Sequence, residues 1–596
     1  MERALAATVR GLLSSRAEVG HWEGDLSTSA LSTATAAFAL DFLDRELGGS
    51  SHETLVRRGL DWLALHVNPD CGWGDTIRSA SNLSTTVLCW AALGSSPAAR
   101  QSHRGVIERA EAWIVRQAGG VEPARLAPAI EAVYGKDRTF SVPILMVCAL
   151  AGRLGPHPAG WDLVPQLPFE LAALPQAWFR FLGLPVVSYA LPALIAIGQG
   201  RHHRRPSRNP IVRSLRRLAR EPTLRLLERI QPSSGGFLEA VPLTAFVIMS
   251  LAASEEAKHP VAQRCAAFLE RSQRVDGSWA IDSNLATWVT TLSVNALADA
   301  GVLDGLAEGE RIAVREWLLA QQHREIHPYT GARPGGWAWT DLPGGVPDAD
   351  DTAGALLALR RLGAPNARTI DAASAGIHWL LDLQNRDGGV PTFCRGWGRL
   401  PFDRSGADLT AHALRALQAW RGSLPPRLAR RALAATDRAV AYLAREQREE
   451  GAWAPLWFGN ELCPGLENLT YGTASVLIGL RSLDGAGAAS VASLEEAAER
   501  WLLNAQDESG GWGGARAIQP SIEETALAVK ALSARAAAGS SPAREAALRG
   551  AFWLVGRVEA GVLEPSPIGF YFANLWYYER LYPWIFALGA LGRAPR

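Results

Sequence analysis

The chain carries almost no net charge. Its 596 residues include 60 lysines and arginines and 59 aspartates and glutamates, which leaves a formal net charge of +1 at neutral pH. A near-neutral protein has no long-range field that would steer it onto nucleic acid or strongly acidic partners. The composition therefore gives no support to nucleic acid as a partner, and any basic surface must be local.

Paired cysteines are also lacking. The six cysteines form no Cys-x-x-Cys pair and no Cys/His cluster at zinc spacing, which is typical of reduced thiols in a cytoplasmic protein. Residues 1–15 interrupt their short apolar pieces with Glu2, Arg3 and Arg10, so they lack the core of a secretory signal, and export is not expected. The cysteines are Cys71, Cys89, Cys148, Cys265, Cys394 and Cys463.

Long uncharged runs are scarce. Residues 181–200 form the one run long enough to test as a membrane span, and Pro185 and Pro192 interrupt it. Because prolines break helices and the surrounding pattern is helical, a buried hairpin of core helices is favoured over a span.

A basic segment, residues 201–225, follows this run. Its arginines alternate with Ile211, Val212, Leu215 and Leu218 at spacings that a helix would place on one face. Two interpretations stay open: a solvated arginine face on a barrel helix, or monotopic attachment to an anionic membrane leaflet. Its arginines between positions 201 and 220 are Arg201, Arg204, Arg205, Arg208, Arg213, Arg216, Arg217 and Arg220.

A short pattern repeats along the chain. A glutamine is followed by a glycine four residues later and by an aromatic residue two residues after that, as in Gln273, Gly277 and Trp279. Several such copies in one chain favour a repeat architecture. Further complete copies begin at Gln231, Gln447 and Gln506, and degenerate copies contain Trp22, Trp73, Trp337 and Val390.

Each copy lies between two helical stretches. The glutamine caps a helix end, the glycine permits a left-handed turn, and the tryptophan packs back over the glutamine. A single hairpin cannot bury its own apolar face, so repeated hairpins close into an α/α barrel. With 596 residues, 48% of them hydrophobic, the chain has room for two such domains. Strand signals are sparse, and the predicted fold class is all-α.

This pattern resembles the QW repeat of squalene-hopene and oxidosqualene cyclases, and the resemblance covers nearly the whole chain. It implies two α/α barrels with a cavity between them. Residues 1–24 and 285–596 would form the barrel that carries the acid site. Residues 25–284 would form the second barrel, inserted into the first and carrying the basic segment.

Asp348-Ala349-Asp350-Asp351 follows a proline and precedes an apolar helix. Taken alone, such a string is most often a helix N-cap with solvated acids. Here it resembles the DxDD region of squalene cyclases. Crowded carboxyls also suit the protonation of an alkene, because like charges prevent their simultaneous ionisation and keep at least one of them protonated.

Proton transfer also needs a group that stabilises the carboxylate left behind. Asp408 and His412 lie four residues apart, on one face of a helix, and resemble the family's Asp-x-Thr-x-His segment. By this resemblance Asp350 donates the proton, while Asp348 and Asp351 set its environment. His412 would bond to Asp350, and Asp408 would orient and charge His412. Such general acid catalysis needs no metal or other cofactor, and the chain lacks a DDxxD motif for magnesium-assisted ionisation of a diphosphate.

A carbocation must be stabilised without being captured, and aromatic faces do this by cation-π attraction. Most repeat tryptophans are structural, so aromatic residues outside the repeats are the candidates. The resemblance implies that Trp288, Trp339 and Phe393 bind substrate. In the C-terminal aromatic segment it leaves two pairs of alternatives for substrate binding. The first pair is Phe570 or Tyr571, and the second is Tyr577 or Tyr578.

Three departures from the family bear on the product. Ala240-Val241-Pro242 replaces an Ile-Gln-Pro segment, which removes a polar group able to hold water near the terminating cation. After Trp453 the family's Trp-Phe-Gly-Arg-Trp run is replaced by residues 457–463, with a longer loop before Tyr471, and a cavity tryptophan is expected to be missing there. Another expected tryptophan is absent near Val186 and Val187.

The sequence therefore predicts a class II terpene cyclase, an isomerase that converts squalene or a similar lipophilic isoprenoid to a hopanoid-like triterpene. The expected location is the cytoplasmic side of a membrane, with peripheral or monotopic contact, and the family tendency is a homodimer. One alternative is a protein prenyltransferase β-subunit, which needs a zinc site of Asp, Cys and His. Another is a noncatalytic isoprenoid-binding α/α barrel, which has no need for the buried acids.

Overall fold

Helices provide nearly all of the regular structure of the protein. The computed structural model describes residues 1–135, 137–175, 178, 191–328, 330–395, 402–533, 541–570 and 575–595, and the side chains of Ala486 and Phe570 are outside this description. All six cysteines are free thiols.

The helices are numbered in chain order. The N-terminal half contains α1 (Glu2–Ser14), α2 (Ala30–Leu47), α3 (Glu53–Leu65), α4 (Leu83–Leu93), α5 (Pro97–Ser102), α6 (Arg104–Ala118), α7 (Pro123–Tyr134), α8 (Arg138–Leu150), α9 (Leu191–Arg204), α10 (Pro210–Ile230), α11 (Val241–Ala253) and α12 (Pro260–Ser272). The C-terminal half contains α13 (Ala286–Asp299), α14 (Glu308–Ala320), α15 (Ala349–Arg361), α16 (Ala367–Leu383), α17 (Ala407–Trp420), α18 (Pro426–Glu446), α19 (Leu469–Leu480), α20 (Gly485–Ser490), α21 (Ala492–Ala505), α22 (Ile522–Ser533), α23 (Pro542–Glu559) and α24 (Tyr582–Arg593).

In the described ranges, four short strands form two antiparallel pairs. The strand β1 (Thr28–Ser29) pairs with β2 (Trp279–Ala280), and β3 (Ile568–Phe570) pairs with β4 (Leu575–Tyr577). The first pair joins the start of α2 to the last repeat turn before α13, so it fastens the two ends of the intervening segment together.

The first ring consists of the inner helices α13, α15, α17, α19, α22 and α24. Each packs against the next, and α24 packs against α13, so the ring is closed. Helices α14, α16, α18, α21 and α23 cover it from outside, and α1 packs on α24 and α23. The N-terminal helix therefore belongs to a ring whose other members come more than 200 residues later in the chain.

The second ring is built from α2, α4, α8, α9 and α11, again with each helix packed against the next and α11 against α2. Helices α3, α6, α7, α10 and α12 lie outside it. The prediction of an all-α fold made of α/α barrels is confirmed. The boundaries at residues 24/25 and 284/285 stay a prediction.

The glutamine of the repeat joins two neighbouring hairpins. Gln384 Nε2 donates to the Gly388 carbonyl of its own turn at 2.8 Å and to the Ala435 carbonyl of the next outer helix at 2.9 Å. Gln506 makes the same two bonds, to Gly510 and Ala546. One buried side-chain amide thus satisfies carbonyls on two hairpins and sets their spacing.

The tryptophan of the repeat bonds back to its own hairpin. Trp453 Nε1 donates to the Leu443 carbonyl, ten residues earlier, at 2.8 Å. Trp279 makes the same bond to Leu269. In the degenerate copy at Trp337, Gln322 takes the place of the repeat glutamine, although a longer loop separates it from the tryptophan. Its Nε2 donates to the Gly335 carbonyl.

The repeat glycine is required for two reasons. Gly388 has φ +94, in the left-handed region, as the sequence predicts. A Cβ at this position would also collide with the backbone carbonyl of Arg438 on α18. The outer helix α18 therefore approaches the turn so closely that only glycine fits at position 388.

The uncharged run is only partly described, because residues 181–190 lie outside the described residues. Its second half forms α9, with Pro192 in the first turn, where proline is tolerated. Ile195, Ala196 and Ile197 are buried, as expected for a core helix. Among the helices that the structure describes, none is both long and apolar enough to cross a bilayer.

The basic segment is not one continuous helix. Helix α9 ends at Arg204, and α10 begins at Pro210 with Asn209 as its N-cap. Asn209 Oδ1 accepts from the Ile211 amide at 2.9 Å, and proline is favoured directly after such a cap. The helical spacing predicted from Ile211 onward is observed, whereas the arginines before it lie at the end of α9 and in the connection.

We expect Gly388→Ala to lower the free energy of unfolding by about 2 kcal/mol or more, because the new Cβ meets both an unfavourable φ and a fixed carbonyl. Gly422→Ala is the matched control, since a Cβ at Gly422 has nothing within 4 Å. Thermal unfolding followed by circular dichroism measures both variants. Equal midpoints for the two would contradict the steric argument.

Candidate active site

An apolar cavity of about 310 Å³ lies between the two rings. Helices α2, α4, α8, α9 and α11 of the second ring supply mainly aliphatic and aromatic side chains to its wall. The described lining contains four carboxyls, Asp282, Asp348, Asp350 and Asp351, and no lysine, arginine or histidine. This lining suits a lipophilic molecule, and the carboxyls are the polar groups of the cavity that could react with it.

The first-ring wall of the cavity comes from the loops that follow the repeat turns. Trp339 lies two residues after Trp337, and Phe393 lies three residues after Val390. Trp457 and Phe458 occupy the equivalent loop after Trp453. Because these turns sit at the same end of the ring, residues two to five positions after Trp337, Val390 and Trp453 line one cavity.

The same turns set the start of the inner helices. The Asp348 amide donates to the Trp337 carbonyl at 3.0 Å, one residue before α15. The Gly406 amide likewise donates to Val390 at 3.1 Å, directly before α17. The aspartates at the beginnings of α15 and α17 therefore face each other on neighbouring helices.

Asp348 is the N-cap of α15. Its Oδ1 accepts from the Asp351 amide at 2.8 Å, which is the structural role that a lone aspartate has at this position. Both side chains are nonetheless buried at 4% exposure, where a solvated cap would be open. Burial raises the pKa of Asp348, and burial together with the charge of Asp348 raises the pKa of Asp351.

Asp350 meets His412, as the resemblance implies. The His412 Nδ1 and Asp350 Oδ1 atoms are 2.6 Å apart, although the residues are 62 positions apart in the chain. Trp288 packs edge-on against the imidazole with ring centroids 6.3 Å apart. Asp350 borders the cavity, so one side of its carboxyl faces the apolar space and the other side is held by the histidine.

Asp408 lies close to this pair, but its described hydrogen bonds do not include His412. Asp408 Oδ1 accepts from the Leu456 amide at 3.0 Å, and its Oδ2 is buried without a partner. Burial, together with the charge of Asp350, raises the pKa of Asp408 to about 7. The predicted orientation and charging of His412 by Asp408 stays a prediction.

Three of the predicted aromatic residues, Trp288, Trp339 and Phe393, line the cavity. Trp288 Nε1 donates to the Tyr582 hydroxyl at 2.9 Å, which fixes its ring. Trp339 Nε1 donates to Asp282 Oδ2 at 3.1 Å, and the Trp339 and Phe393 rings meet edge to face. These bonds satisfy the indole N–H groups, so neither Trp288 nor Trp339 presents an unpaired donor to the cavity.

The C-terminal aromatic segment resolves one of its two alternatives. Tyr577 lines the cavity, whereas Tyr578 lies outside the lining, with the Arg78 guanidinium 5.8 Å from its ring centroid. The side chain of Phe570 and the whole of Tyr571 lie outside the described residues. Val186 and Val187 lie outside them as well.

Sequence reasoning missed several lining residues. Trp457 and Phe402 form an aromatic wall with Phe393, and Phe458, which stacks on Trp288, also lines the cavity. The expected absence of a tryptophan after Trp453 therefore does not leave that side open. The signal that would have found Trp457 and Phe458 is their position after a repeat turn. Phe402 has no such signal, since it comes from the far end of a longer loop.

Asp282 is a further residue that was missed. It pairs through its backbone with Ala240, where the family's polar segment is replaced, and Ala240 and Pro242 both line the cavity. A carboxyl therefore lies beside the place from which a polar side chain is lost. Burial and the neighbouring Glu239 charge raise the pKa of Asp282 well above its usual range.

No group of three or more histidine, cysteine, aspartate or glutamate residues in the described ranges is placed to hold a metal ion. The zinc site required by the prenyltransferase alternative is therefore not found in this part of the chain.

Comparison with known proteins agrees with this site. Residues 284–594 match the family model of the squalene-hopene cyclase C-terminal domain, and residues 5–150 match that of the N-terminal domain. Enfumafungin synthase of Hormonema carpetanum is 26% identical across 94% of this chain and 45% of its own. A squalene-hopene cyclase of Bradyrhizobium diazoefficiens is 26% identical across 63% of this chain and 56% of its own. The chain thus spans about half the length of these curated relatives.

Among solved structures, ent-copalyl diphosphate synthase from Streptomyces platensis shares the fold. It superposes with a TM-score of 0.60 at 19% identity, and the match covers 99% of each chain. Since the family models together cover most of the chain and one alone covers more than half, the chain belongs to the squalene-hopene cyclase family of class II terpene cyclases.

Proposed function

We propose that the protein protonates a terminal alkene of squalene or a similar linear polyprene and directs its cationic cyclisation to a hopanoid-like triterpene. The observation that carries this proposal is Asp350, which borders an apolar, aromatic cavity and is held from behind by His412.

Asp350 acts in this proposal as a general acid. Its O–H bond breaks while a C–H bond forms at the terminal alkene carbon, and the electron pair of the alkene makes the new bond. A carbocation and the Asp350 carboxylate result. Burial raises the pKa of Asp351 well above its ordinary value and the pKa values of Asp348 and Asp408 to about 7. Below that pH these carboxyls are protonated, so they place no negative charges beside the Asp350 carboxylate as it forms.

The cation then moves along the folded chain between aromatic faces. Ring faces attract a cation most strongly where water is excluded, and they hold no lone pair that would capture it. The faces that border the described cavity are those of Trp288, Trp339, Phe393, Phe402, Trp457, Phe458 and Tyr577.

The charge of the cavity favours a hydrocarbon over a diphosphate ester. A diphosphate needs cationic partners, and the described lining supplies four carboxyls and no basic residue. The assignment of squalene rests on this feature and on squalene-hopene cyclases among the relatives. The likeness to ent-copalyl diphosphate synthase concerns the fold alone.

A lipophilic substrate also suits contact with a membrane, which we propose at the first half of α10. Its side chains Ile211, Leu215 and Leu218 are exposed at 69%, 55% and 74%, and arginines stand between them. The short 3-10 helix Phe169–Ala173, with Leu171 exposed, packs against α10. Such a patch fits peripheral attachment to an anionic leaflet, and we place the protein on the cytoplasmic side.

The exposed patch lies close to the cavity. Helix α9 packs against both α10 and the 3-10 helix, and its Ala193 borders the cavity. A substrate dissolved in the membrane would then cross only one layer of helices. The predicted homodimer stays a prediction.

We expect Asp350→Asn to lower kcat roughly 10³-fold or more, because an amide has no proton to transfer to an alkene. The assay is conversion of squalene by detergent-solubilised protein, with products identified by mass spectrometry and geranylgeranyl diphosphate as the competing substrate. Asp371→Asn, on the exposed face of α16, is the control and should keep full activity. Unchanged turnover by Asp350→Asn would refute the assignment of the acid.

Turnover should fall about tenfold from about pH 6 to about pH 8. Since the pKa of Asp408 is raised to about 7, its carboxyl is neutral below that pH and ionised above it. The new negative charge opposes formation of the Asp350 carboxylate and so slows proton transfer. Asp408→Asn cannot ionise and should show a flatter profile over this range. Identical profiles for the two proteins would exclude Asp408 as the titrating group.

A double variant, Leu215→Glu with Leu218→Glu, should lower the fraction bound to vesicles about tenfold, since it removes apolar contact and adds negative charge. Flotation with vesicles containing phosphatidylglycerol measures binding. Leu433→Glu, at a residue of α18 that is 50% exposed, is the control. Equal flotation of all three proteins would place membrane contact elsewhere or exclude it.

A further inference from the structure

A second cavity, of about 110 Å³, lies inside the first ring. All six inner helices contribute to its wall. Asp350 and Trp288 border both cavities, so the second cavity begins directly behind the proposed acid. His412 and Asp408 also border it, whereas the main cavity has neither in its described lining.

The far end of the first ring holds a cluster of charges around Asp299. The side chain of Asp299 is 2% exposed and contacts Lys530 at 2.5 Å, Arg593 at 2.9 Å and Arg361 at 3.3 Å. These cations hold the pKa of Asp299 well below its usual range, despite its burial. One carboxylate thus serves three cations, of which Arg593 is half exposed.

Arg415 is a fourth cation, placed between this cluster and the acid site. It lies on α17, three residues after His412, and therefore on the same face of the helix. Its side chain borders the second cavity, and the two carboxyls whose charges act on it are Asp299 and Asp350. Within the described part of the chain, no group accepts a hydrogen bond from Arg415.

The charge of Arg415 is therefore not balanced by contact. A guanidinium stays protonated in proteins, and burial without a paired anion is costly. Of the two carboxyls whose charges act on Arg415, Asp299 is already shared by three cations, which leaves Asp350 to compensate the guanidinium. Proton transfer to the alkene creates a carboxylate there, so the attraction is present after the transfer and absent before it.

Several other titratable or charged groups surround Asp350 and Arg415. The cation at Lys530 also borders the second cavity, and its own pKa is lowered by burial. The groups are Asp299 on α13; Asp348, Asp351 and Arg361 on or at the start of α15; Asp408 and His412 on α17; Tyr471 on α19; Lys530 on α22; and Tyr582 and Arg593 on α24.

We propose that Arg415 is a positioning residue for proton transfer, whose charge across the second cavity stabilises the carboxylate form of Asp350 and so strengthens it as an acid. The proposal rests on the proposed function of Asp350. It assigns a role to the second cavity, which keeps the guanidinium close enough to act on Asp350 and prevents the direct ion pair that would hold Asp350 permanently ionised.

The test compares Arg415→Met with Arg415→Lys, which keeps the charge. The control is Arg430→Met on the exposed side of α18. Each protein is assayed with squalene in detergent across the pH range. We expect Arg415→Met to lower the maximal kcat at least tenfold and to move the pH of half-maximal activity upward by about one unit. Without the guanidinium, the carboxylate forms of Asp350 and Asp408, which both border the second cavity, are less favoured. Arg415→Lys should retain most of both properties.

A purely structural role predicts a different result. Loss of kcat with an unmoved pH of half-maximal activity, or an unchanged kcat, would overturn the proposal. Thermal unfolding of Arg415→Met should show no loss of stability, because removing an unpaired buried charge does not leave a partner exposed. A large drop in the unfolding midpoint would mean that Arg415 holds the ring together instead.

A readout that does not depend on turnover separates this proposal from the proposed function. Asp408 borders the same cavity and has its pKa raised to about 7, and its titration is followed by NMR of ¹³C-labelled aspartate, with Asp408→Asn for assignment. Removal of the Arg415 charge should shift the Asp408 titration to higher pH. Wild-type protein that converts no polyprene would refute the proposed function; an unshifted Asp408 titration would overturn the electrostatic role of Arg415.

Discussion

The side-chain amide of the repeat glutamine is the contact on which the architecture depends. Because Gln384 donates to its own turn and to the next outer helix, the position of one hairpin determines that of its neighbour. Each turn also fixes the start of an inner helix. The Trp337 carbonyl, for example, accepts a hydrogen bond from the Asp348 amide directly before α15. A structural repeat that takes no part in the chemistry thus sets the positions of the acid motif and of the aromatic loops.

Burial of carboxyls is the main electrostatic constraint on the site. The unfolded chain ionises Asp408 at its ordinary pKa near 4, whereas the folded protein keeps the proton up to about 7. The folded state therefore binds more protons than the unfolded state in this interval, and stability falls as the pH rises through it. Burial of apolar side chains in both rings must offset this loss of folding free energy. The loss accompanies any carboxyl that is kept neutral in an apolar cavity.

Parts of the site were predictable because their signals are local. The spacing of glutamine, glycine and tryptophan is contained within seven residues, and the DxDD string within four. The family resemblance does not point to Trp457 and Phe458 as lining residues, whereas their position after a repeat turn does. Asp282 and Arg415 have no local signal in the sequence. Asp282 reaches the main cavity because its backbone pairs with Ala240, and Arg415 reaches the second cavity because the first ring closes.

By itself the sequence determined the helical hairpins, their glycine turns and the crowded acids, since these depend on backbone geometry and on charges a few residues apart. Only the tertiary structure decided that Asp350 meets His412, that Tyr577 and not Tyr578 faces the cavity, and that Arg415 lies behind the acid. The physical reason is that ring closure sets which helix faces oppose one another, and this depends on packing between residues far apart in the chain.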